Sequence, residues 1–253
     1  MILRKWEDLP ENMKYDEVRY YYDLLSKRKV SLVFKRIFDV VAAIIMLVVL
    51  SPLFLILIIA IKIDSKGPAF YRQVRITTYG REFRIFKFRT MVQNADRGSQ
   101  VTVKNDNRIT RVGKYIRKLR LDELCQLFNV ISGDMTFVGT RPEVPKYVGH
   151  YSRKMTATLL LPAGVTSEAS IYYKDEDKLL DEADDTDKVY IEKVLPSKMY
   201  YNLKAIEKFT FFHELAVMFK TFLAVLGKEY TDENAAEEVL YGEKENSSSA
   251  DKQ

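Results

Sequence analysis

Asp122 and Glu123 are adjacent acids that follow a short basic segment containing Arg117, Lys118 and Arg120. Neighbours on a helix diverge by about 100°, so the two carboxylates cannot act on one atom as a symmetric pair. They can divide the work: one attacks a phosphorus atom while the other holds a magnesium ion that offsets phosphate charge. A plainer explanation competes, because acids at a helix start favour the positive end of the dipole. Other nucleophiles have little support. His150 and His213 stand at unrelated positions without a serine or cysteine partner pattern, so neither is assigned a role. Cys125 has no companion base and, as the single cysteine, permits neither an internal disulfide nor a cysteine-built zinc site, which fits a reducing cytoplasmic compartment.

The elements that must position this pair can be read from periodicity. Apolar residues recur at three- and four-residue spacing from Arg111 to Ile131, as one amphipathic helix or a pair of helices requires, and Gly133 ends the pattern. Upstream, Ala69 to Ile76 and Glu82 to Thr90 are rich in aromatic and β-branched residues, with Gly80 in the turn between them. A β-hairpin with a basic surface is expected, carrying Arg72, Lys87 and Arg89. The segment from Gly133 to Pro142 reads as a loop, and a helix over Tyr147 to Leu160 is expected to stop at Pro162-Ala-Gly164. Two more helices are expected at Asp187 to Leu195 and Pro196 to Leu226. In the second, Leu203, Ile206, Phe209, Phe212, Leu215, Phe219 and Phe222 form a wide apolar stripe suited to a core, with a membrane-surface face as the lesser alternative.

Val40 to Ile61 is an uncharged apolar run with Ser51-Pro52 near its middle. As a helix it would extend roughly 33 Å, about the thickness of a bilayer's hydrocarbon core. Pro52 lacks an N–H and crowds the carbonyl of Val48, so a bend is expected there, with Ser51 satisfying freed backbone groups. Lys27, Arg28, Lys29, Lys35 and Arg36 precede the run, and Lys62, Lys66, Arg72, Arg75 and Arg81 follow it. This balance favours both ends on the cytoplasmic side, hence a hairpin that enters and turns back over a kinked single span. A polar segment precedes the run and no sensibly placed cleavage site follows it, so the run is expected to be retained.

Between Lys62 and Arg120 there are 16 Lys or Arg against 4 Asp or Glu, although the whole chain of 253 residues carries only +5. Anionic head groups or a phosphate-bearing substrate suit this basic stretch. Nucleic acid does not, because no zinc-finger, recognition-helix or RNA-recognition signature accompanies the charge. The first 31 residues, with Tyr20, Tyr21 and Tyr22 together, suit either a helix near a head-group interface or a loosely ordered leader. After Gly227 the chain turns acidic and then serine-rich, as a solvated tail does.

Lys35-Arg-Ile-Phe-Asp39, the run with Ser51-Pro52, Gly67-Pro-Ala-Phe-Tyr-Arg-Gln73, Phe86-Lys-Phe-Arg-Thr-Met91, Asp106-Asn-Arg-Ile-Thr-Arg-Val-Gly113, Leu121-Asp-Glu-Leu-Cys-Gln-Leu-Phe-Asn-Val130 and Gly133-Asp-Met-Thr-Phe-Val-Gly-Thr-Arg-Pro142 resemble, in order, the bacterial sugar transferase family. These are the monotopic phosphoglycosyl transferases. The resemblance implies transfer of a sugar-1-phosphate from a nucleotide sugar, usually a UDP-sugar, to undecaprenyl phosphate, with release of UMP. It implies Asp122 as nucleophile, Glu123 as the Mg²⁺ ligand, and Arg117 and Arg141 near the diphosphate, with Arg72, Lys87 and Arg89 as further phosphate contacts. Lys35, Arg36 and Asp39 would anchor the hairpin entry at membrane lipid head groups, and Ser51 and Pro52 would mark its break. The implied place is the cytoplasmic face of a bacterial inner membrane, at the first step of exopolysaccharide, capsule, O-antigen or glycoprotein assembly, upstream of glycosyltransferases. The competing class is a membrane-anchored scaffold or regulatory module that has lost activity.

The expected fold is therefore α+β and mostly helical: a re-entrant, monotopic membrane helix-break-helix, amphipathic interfacial helices and a small β-hairpin. Its expected division is a leader over 1–31, a re-entrant helix over 32–62, a catalytic domain over 63–226 and a polar tail over 227–253. Three departures from the family pattern stand out: Cys125 and Thr140, each where proline is frequent, and Ser167, Glu168 and Ser170, which put sugar specificity in question.

Overall fold

In the computed structural model, residues 3–93, 95, 107–172, 185–228 and 230 are described. Most of the polar tail, the start of the Asp106–Gly113 motif and much of the acid-rich stretch before Asp185 lie outside them. The helices are α1 (Asp16–Ser26), α2 (Lys29–Asp64), α3 (Arg111–Lys118), α4 (Gln126–Ser132), α5 (Pro145–Val148), α6 (Glu168–Tyr172), α7 (Thr186–Val189), α8 (Leu195–Glu207) and α9 (Phe211–Val225). The strands are β1 (Phe70–Ile76), β2 (Glu82–Phe88), β3 (Met135–Val138) and β4 (Ala163–Thr166).

The expected hairpin forms. β1 and β2 pair antiparallel, with Phe70 opposite Phe88 and Ile76 opposite Glu82. The outer edge of β2 would leave main-chain groups unpaired, which is costly once buried. Asn129 of α4 takes the place of a third strand: its Oδ1 accepts from Phe86 N at 2.8 Å and its Nδ2 donates to Arg84 O at 3.1 Å. One amide thus locks α4 to the hairpin.

Four expectations are corrected. Within the segment read as a loop from Gly133 to Pro142, Met135–Val138 is strand β3, pairing parallel with β4, where a helix stop was expected at Pro162-Ala-Gly164. A four-residue apolar strand flanked by glycines looks like loop because two turns of periodicity are too few to register. The helix expected over Tyr147 to Leu160 is instead the short α5 and a separate 3₁₀ helix at Met155–Leu160. Near the C-terminus the helix boundary falls at Lys208–Thr210, where Thr210 caps α9 by accepting from His213 N, and not at Pro196, which sits in the first turn of α8 where its missing N–H is not needed. The apolar stripe divides accordingly: Leu203, Ile206 and Phe209 are buried, whereas Phe212, Phe219 and Phe222 are exposed.

The N-terminal segment belongs to the core. Val18, Tyr21 and Leu25 of α1 are buried with Leu9, Met13, Leu160, Ile206 and Phe209. This answers the choice between interfacial helix and loose leader with a third arrangement, a helix packed on the domain.

α2 is a single helix of 36 residues that continues through Pro52, so Ser51-Pro52 does not divide it into two elements. The carbonyl of Val48, which loses its helical partner to proline, accepts from the Ser51 hydroxyl at 2.8 Å. That substitute bond preserves the helix. Ala43, Phe54, Leu57 and Ile61 face the protein, while Val41, Ile44, Ile45, Val48, Val49, Leu55, Ile56 and Ile59 are exposed. So large an apolar surface is incompatible with water on all sides and compatible with membrane anchoring.

Lys35 and Asp39 are buried and turned into the protein, away from any lipid head group. Lys35 Nζ donates to Val138 O at 2.9 Å and pairs with Glu214 of α9, while Asp39 accepts from the Thr136 hydroxyl of β3. Arg36 donates to the last carbonyls of α4, at 2.6 Å to Val130 O and 2.9 Å to Ile131 O. These three residues fasten α2 to the domain. Lys35→Met would leave Glu214 buried without its cation, at a cost of about 3–5 kcal/mol. Thermal unfolding of detergent-solubilised protein should show the loss, and Glu214→Gln added to Lys35→Met should recover part of it.

Candidate active site

α3 is placed by two caps. Asp64, the last residue of α2, accepts from Val112 N at 3.0 Å, and the Thr110 hydroxyl accepts from Gly113 N at 3.0 Å. The helix ends at Leu119, and Arg120 then adopts a left-handed φ of 53°. A residue with a Cβ pays for that conformation, and it turns the chain sharply into the 3₁₀ helix Leu121–Cys125. Asp122 and Glu123 lie on this turn, so their side chains diverge even more than on an α-helix.

Glu123 meets Arg141, from the loop after β3, in a forked ion pair, and Lys87 Nζ of β2 lies 3.8 Å from its Oε1. Burial pushes the Glu123 carboxyl up, but Arg141 and Lys87 together prevail and hold it at about 2. Asp122 behaves in the opposite way. Burial raises it, with Glu123 adding to the rise, and the pull of Lys87 and Arg117 does not cancel the shift. Lys87 is itself pushed down, chiefly by burial and in part by Arg141, against the pull of Glu123. One carboxylate is therefore locked as an anion inside an ion cluster, while its neighbour is the more basic of the two.

A cleft between the hairpin, α4 and the Arg141 loop is lined by Arg75, Ile85, Lys87, Gln126, Arg141, Pro142 and Gly164. Three cations converge there, a composition suited to a diphosphate. The loop approaches β4 closely because Gly164 of β4 faces Gly139 just after β3: a Cβ on Gly164 would meet Gly139 O at 2.2 Å. Any side chain at Gly164 would push the loop bearing Arg141 away.

The sequence-derived set is thus partly assembled. Asp122, Glu123, Lys87 and Arg141 come together, with Arg117 acting on Asp122 from the end of α3. Arg72 and Arg89 are not among the leading influences on the pair. Arg72 lies 4.2 Å over the Phe86 ring, and Arg89 is buried with Nη2 donating to Ser65 O and Oγ, both at 2.8 Å. Arg75 is the residue that the sequence reading missed as a site contact. It donates to Pro142 O at 3.1 Å, and burial lowers its pKa. The departures fall outside the cleft. Cys125 is buried among Phe54, Phe88 and Ile116, and burial pushes its thiol far up, which removes it as a nucleophile. Ser167 and Ser170 hydrogen-bond each other at 2.9 Å, and Glu168 lies 3.0 Å from His213 of α9.

The model of the Bacterial sugar transferase family matches residues 30–228, which includes every element of this cluster. The chain belongs to that family. Among its relatives, a UDP-N-acetylgalactosamine-undecaprenyl-phosphate N-acetylgalactosaminephosphotransferase of Aeromonas hydrophila is 37% identical over 76% of this chain and 43% of the relative. A UDP-glucose:undecaprenyl-phosphate glucose-1-phosphate transferase of Xanthomonas campestris pv. campestris is 33% identical over 77% of this chain and 39% of the relative. An undecaprenyl-phosphate galactose phosphotransferase of Salmonella typhimurium is 33% identical over 81% of this chain and 43% of the relative. The chain spans less than half the length of these bacterial sugar transferases.

For this family member, the residues present suit a magnesium ion. Mg²⁺ is usually held by one or two carboxylates together with substrate phosphates. Glu123, held as an anion beside the cationic cleft, is the carboxylate that would serve such an ion together with the donor's phosphates.

Proposed function

We propose that this protein transfers a sugar-1-phosphate from a UDP-sugar to undecaprenyl phosphate through a phosphosugar intermediate on Asp122. The observation that carries this reading is the pairing of an ion-locked Glu123 with a more basic Asp122 at the edge of a cleft holding Arg75, Lys87 and Arg141. Asp122 attacks the sugar-bearing phosphorus, the bond to the bridging oxygen breaks, and UMP leaves with that electron pair. A phosphate oxygen of the lipid then attacks the same phosphorus and returns the carboxylate to Asp122. Arg141, Lys87 and Arg75 clamp the donor's phosphate oxygens, and Arg117 serves the reacting phosphoryl group. Magnesium held at Glu123 would supply positive charge to the donor diphosphate.

The membrane arrangement follows from where α2 touches the domain. Its first half is fastened to β3, α4 and α9 through Lys35, Arg36 and Asp39, and its second half packs Phe54, Leu57 and Ile61 against Phe88 and Ile116. Both halves meet the same α4, at Val130 through Arg36 and at Phe128 through Phe54. A helix that crossed the bilayer would have its ends on opposite sides, so this shared contact supports a one-leaflet anchor in which α2 bends near Ser51-Pro52 while remaining one continuous helix. The domain then sits on the cytoplasmic face of the inner membrane, at the depth of a polyprenol phosphate. Cysteines placed near Met1 and near Gln253 should both resist labelling from outside intact cells. Labelling of one terminus would refute the re-entrant anchor.

Membranes containing the protein should release UMP from one of UDP-N-acetylgalactosamine, UDP-glucose or UDP-galactose, and only with Mg²⁺. Absence of release from every UDP-sugar, with undecaprenyl phosphate supplied, would overturn the proposed reaction.

A further inference from the structure

The loop that delivers Arg141 is gripped from behind by a buried group with no part in the reaction above. Glu143, two residues after Arg141, is 6% exposed. Its Oε1 accepts from the Tyr190 hydroxyl at 2.6 Å and lies 3.4 Å from Lys198 Nζ, and Lys198 Nζ donates to the Tyr190 oxygen at 3.1 Å. The main chain of the same stretch is held from the other side, where Arg75 donates to Pro142 O at 3.1 Å and Ile76 N donates to Glu143 O at 3.0 Å.

Tyr190 and Lys198 are eight residues apart, and in a regular α-helix they would be offset by roughly 80° around the axis. They nevertheless converge on one carboxylate. The reason is the π-helical turn Tyr190–Val194 between α7 and α8, which absorbs one extra residue and rotates both side chains onto one face. Such turns cost helical regularity and concentrate at functional sites. Here the rotation delivers a hydroxyl and an ammonium to Glu143.

We propose that Tyr190 and Lys198, brought into register by the π turn, form a latch on Glu143 that positions Arg141 against Glu123 and the donor phosphates. They are positioning residues, since neither touches Asp122, and the inference rests on the transferase reading above. Releasing the latch frees the loop on one side, so Arg141 spends less time against Glu123 and the donor phosphates.

The test uses the full-length protein in detergent with Tyr190→Phe, which removes only a hydroxyl, and Lys198→Met. Both should lower kcat/KM for the UDP-sugar roughly tenfold to a hundredfold, as loss of an outer-shell partner does. Both should act mainly by raising KM for the UDP-sugar, with kcat falling less, a split that a merely structural role, which lowers the active fraction and leaves KM unchanged, would not produce. Glu143→Gln, which keeps the bond from Tyr190, should fall between them and the parent. Hydrogen exchange of residues 139–144 should accelerate in both latch variants, with or without substrate. An unchanged KM, or unchanged exchange in that loop, would overturn the latch even if the folded fraction had fallen. If the parent protein releases no UMP, the transferase reading fails by itself, and the exchange rates still decide the latch.

Discussion

Asp122→Asn should stop UMP release altogether, by on the order of 10⁴-fold or more, as loss of a covalent nucleophile does in other enzymes. The substitution keeps the shape and hydrogen-bonding size of the side chain, so the ion cluster around Glu123 should survive. Only the capacity to form an acyl phosphate is lost. Glu123 cannot stand in, because Arg141 and Lys87 hold it as a weakly basic anion pointing elsewhere on the 3₁₀ turn. Asp122 has the opposite balance, since burial makes it a stronger base than an ordinary carboxylate while Lys87 and Arg117 still favour its ionised form. With a UDP-sugar labelled in its sugar and no lipid acceptor, the parent protein should retain label after denaturation and Asp122→Asn should not. Label on Asp122→Asn, or parent-like UMP release by it, would sink the nucleophile assignment.

The acidic pair and the neighbouring Arg117, Lys118 and Arg120 were legible because charge clusters survive in one dimension, whereas Lys87 and Arg141, distant along the chain, entered the site only through the family resemblance. The hairpin was legible through its aromatic and β-branched runs. Which hairpin residue serves the site was not. Alternation along a strand places Arg72 and Arg75 on opposite faces, but only the register, with Tyr71 opposite Lys87 and Arg72 opposite Phe86, shows that Arg75 shares the Lys87 face. Lys35, Arg36 and Asp39 illustrate a different limit. Charges beside an apolar run look like head-group anchors, and nothing local reveals that Thr136, Val138 and Glu214, about a hundred or more residues away, will bury two of them. The Tyr190–Lys198 pairing was illegible for a third reason, as Pro196 reads as the boundary between two helices and nothing in a 3.6-residue period signals the π turn that joins them.

Arg141→Met should reverse the sign of the acid response. In the parent protein the Glu123 carboxyl is held at about 2, so its pairing with Arg141 contributes stability that is complete above the ordinary carboxylate range and fades only as pH falls toward 2. Methionine keeps much of the side-chain volume and removes the charge. Lys87, 3.8 Å away and itself depressed chiefly by burial, and the weaker pull of Arg120 are then left to oppose the burial of Glu123. Burial is the largest single influence on that carboxyl, so it should rise above its ordinary value. A buried anion with a raised pKa destabilises the fold at neutral pH and is relieved by protonation, so Arg141→Met should melt higher at pH 5 than at pH 7 while the parent, for this group, does not. If Glu123 holds magnesium as proposed, the acid limb of UMP release should climb with it, because the ionised carboxylate disappears at a higher pH. Arg141→Lys, which restores a charge without the fork, should bring the limb part of the way back. Parallel melting and activity profiles for Arg141→Met and the parent would show instead that something other than Arg141 keeps Glu123 ionised.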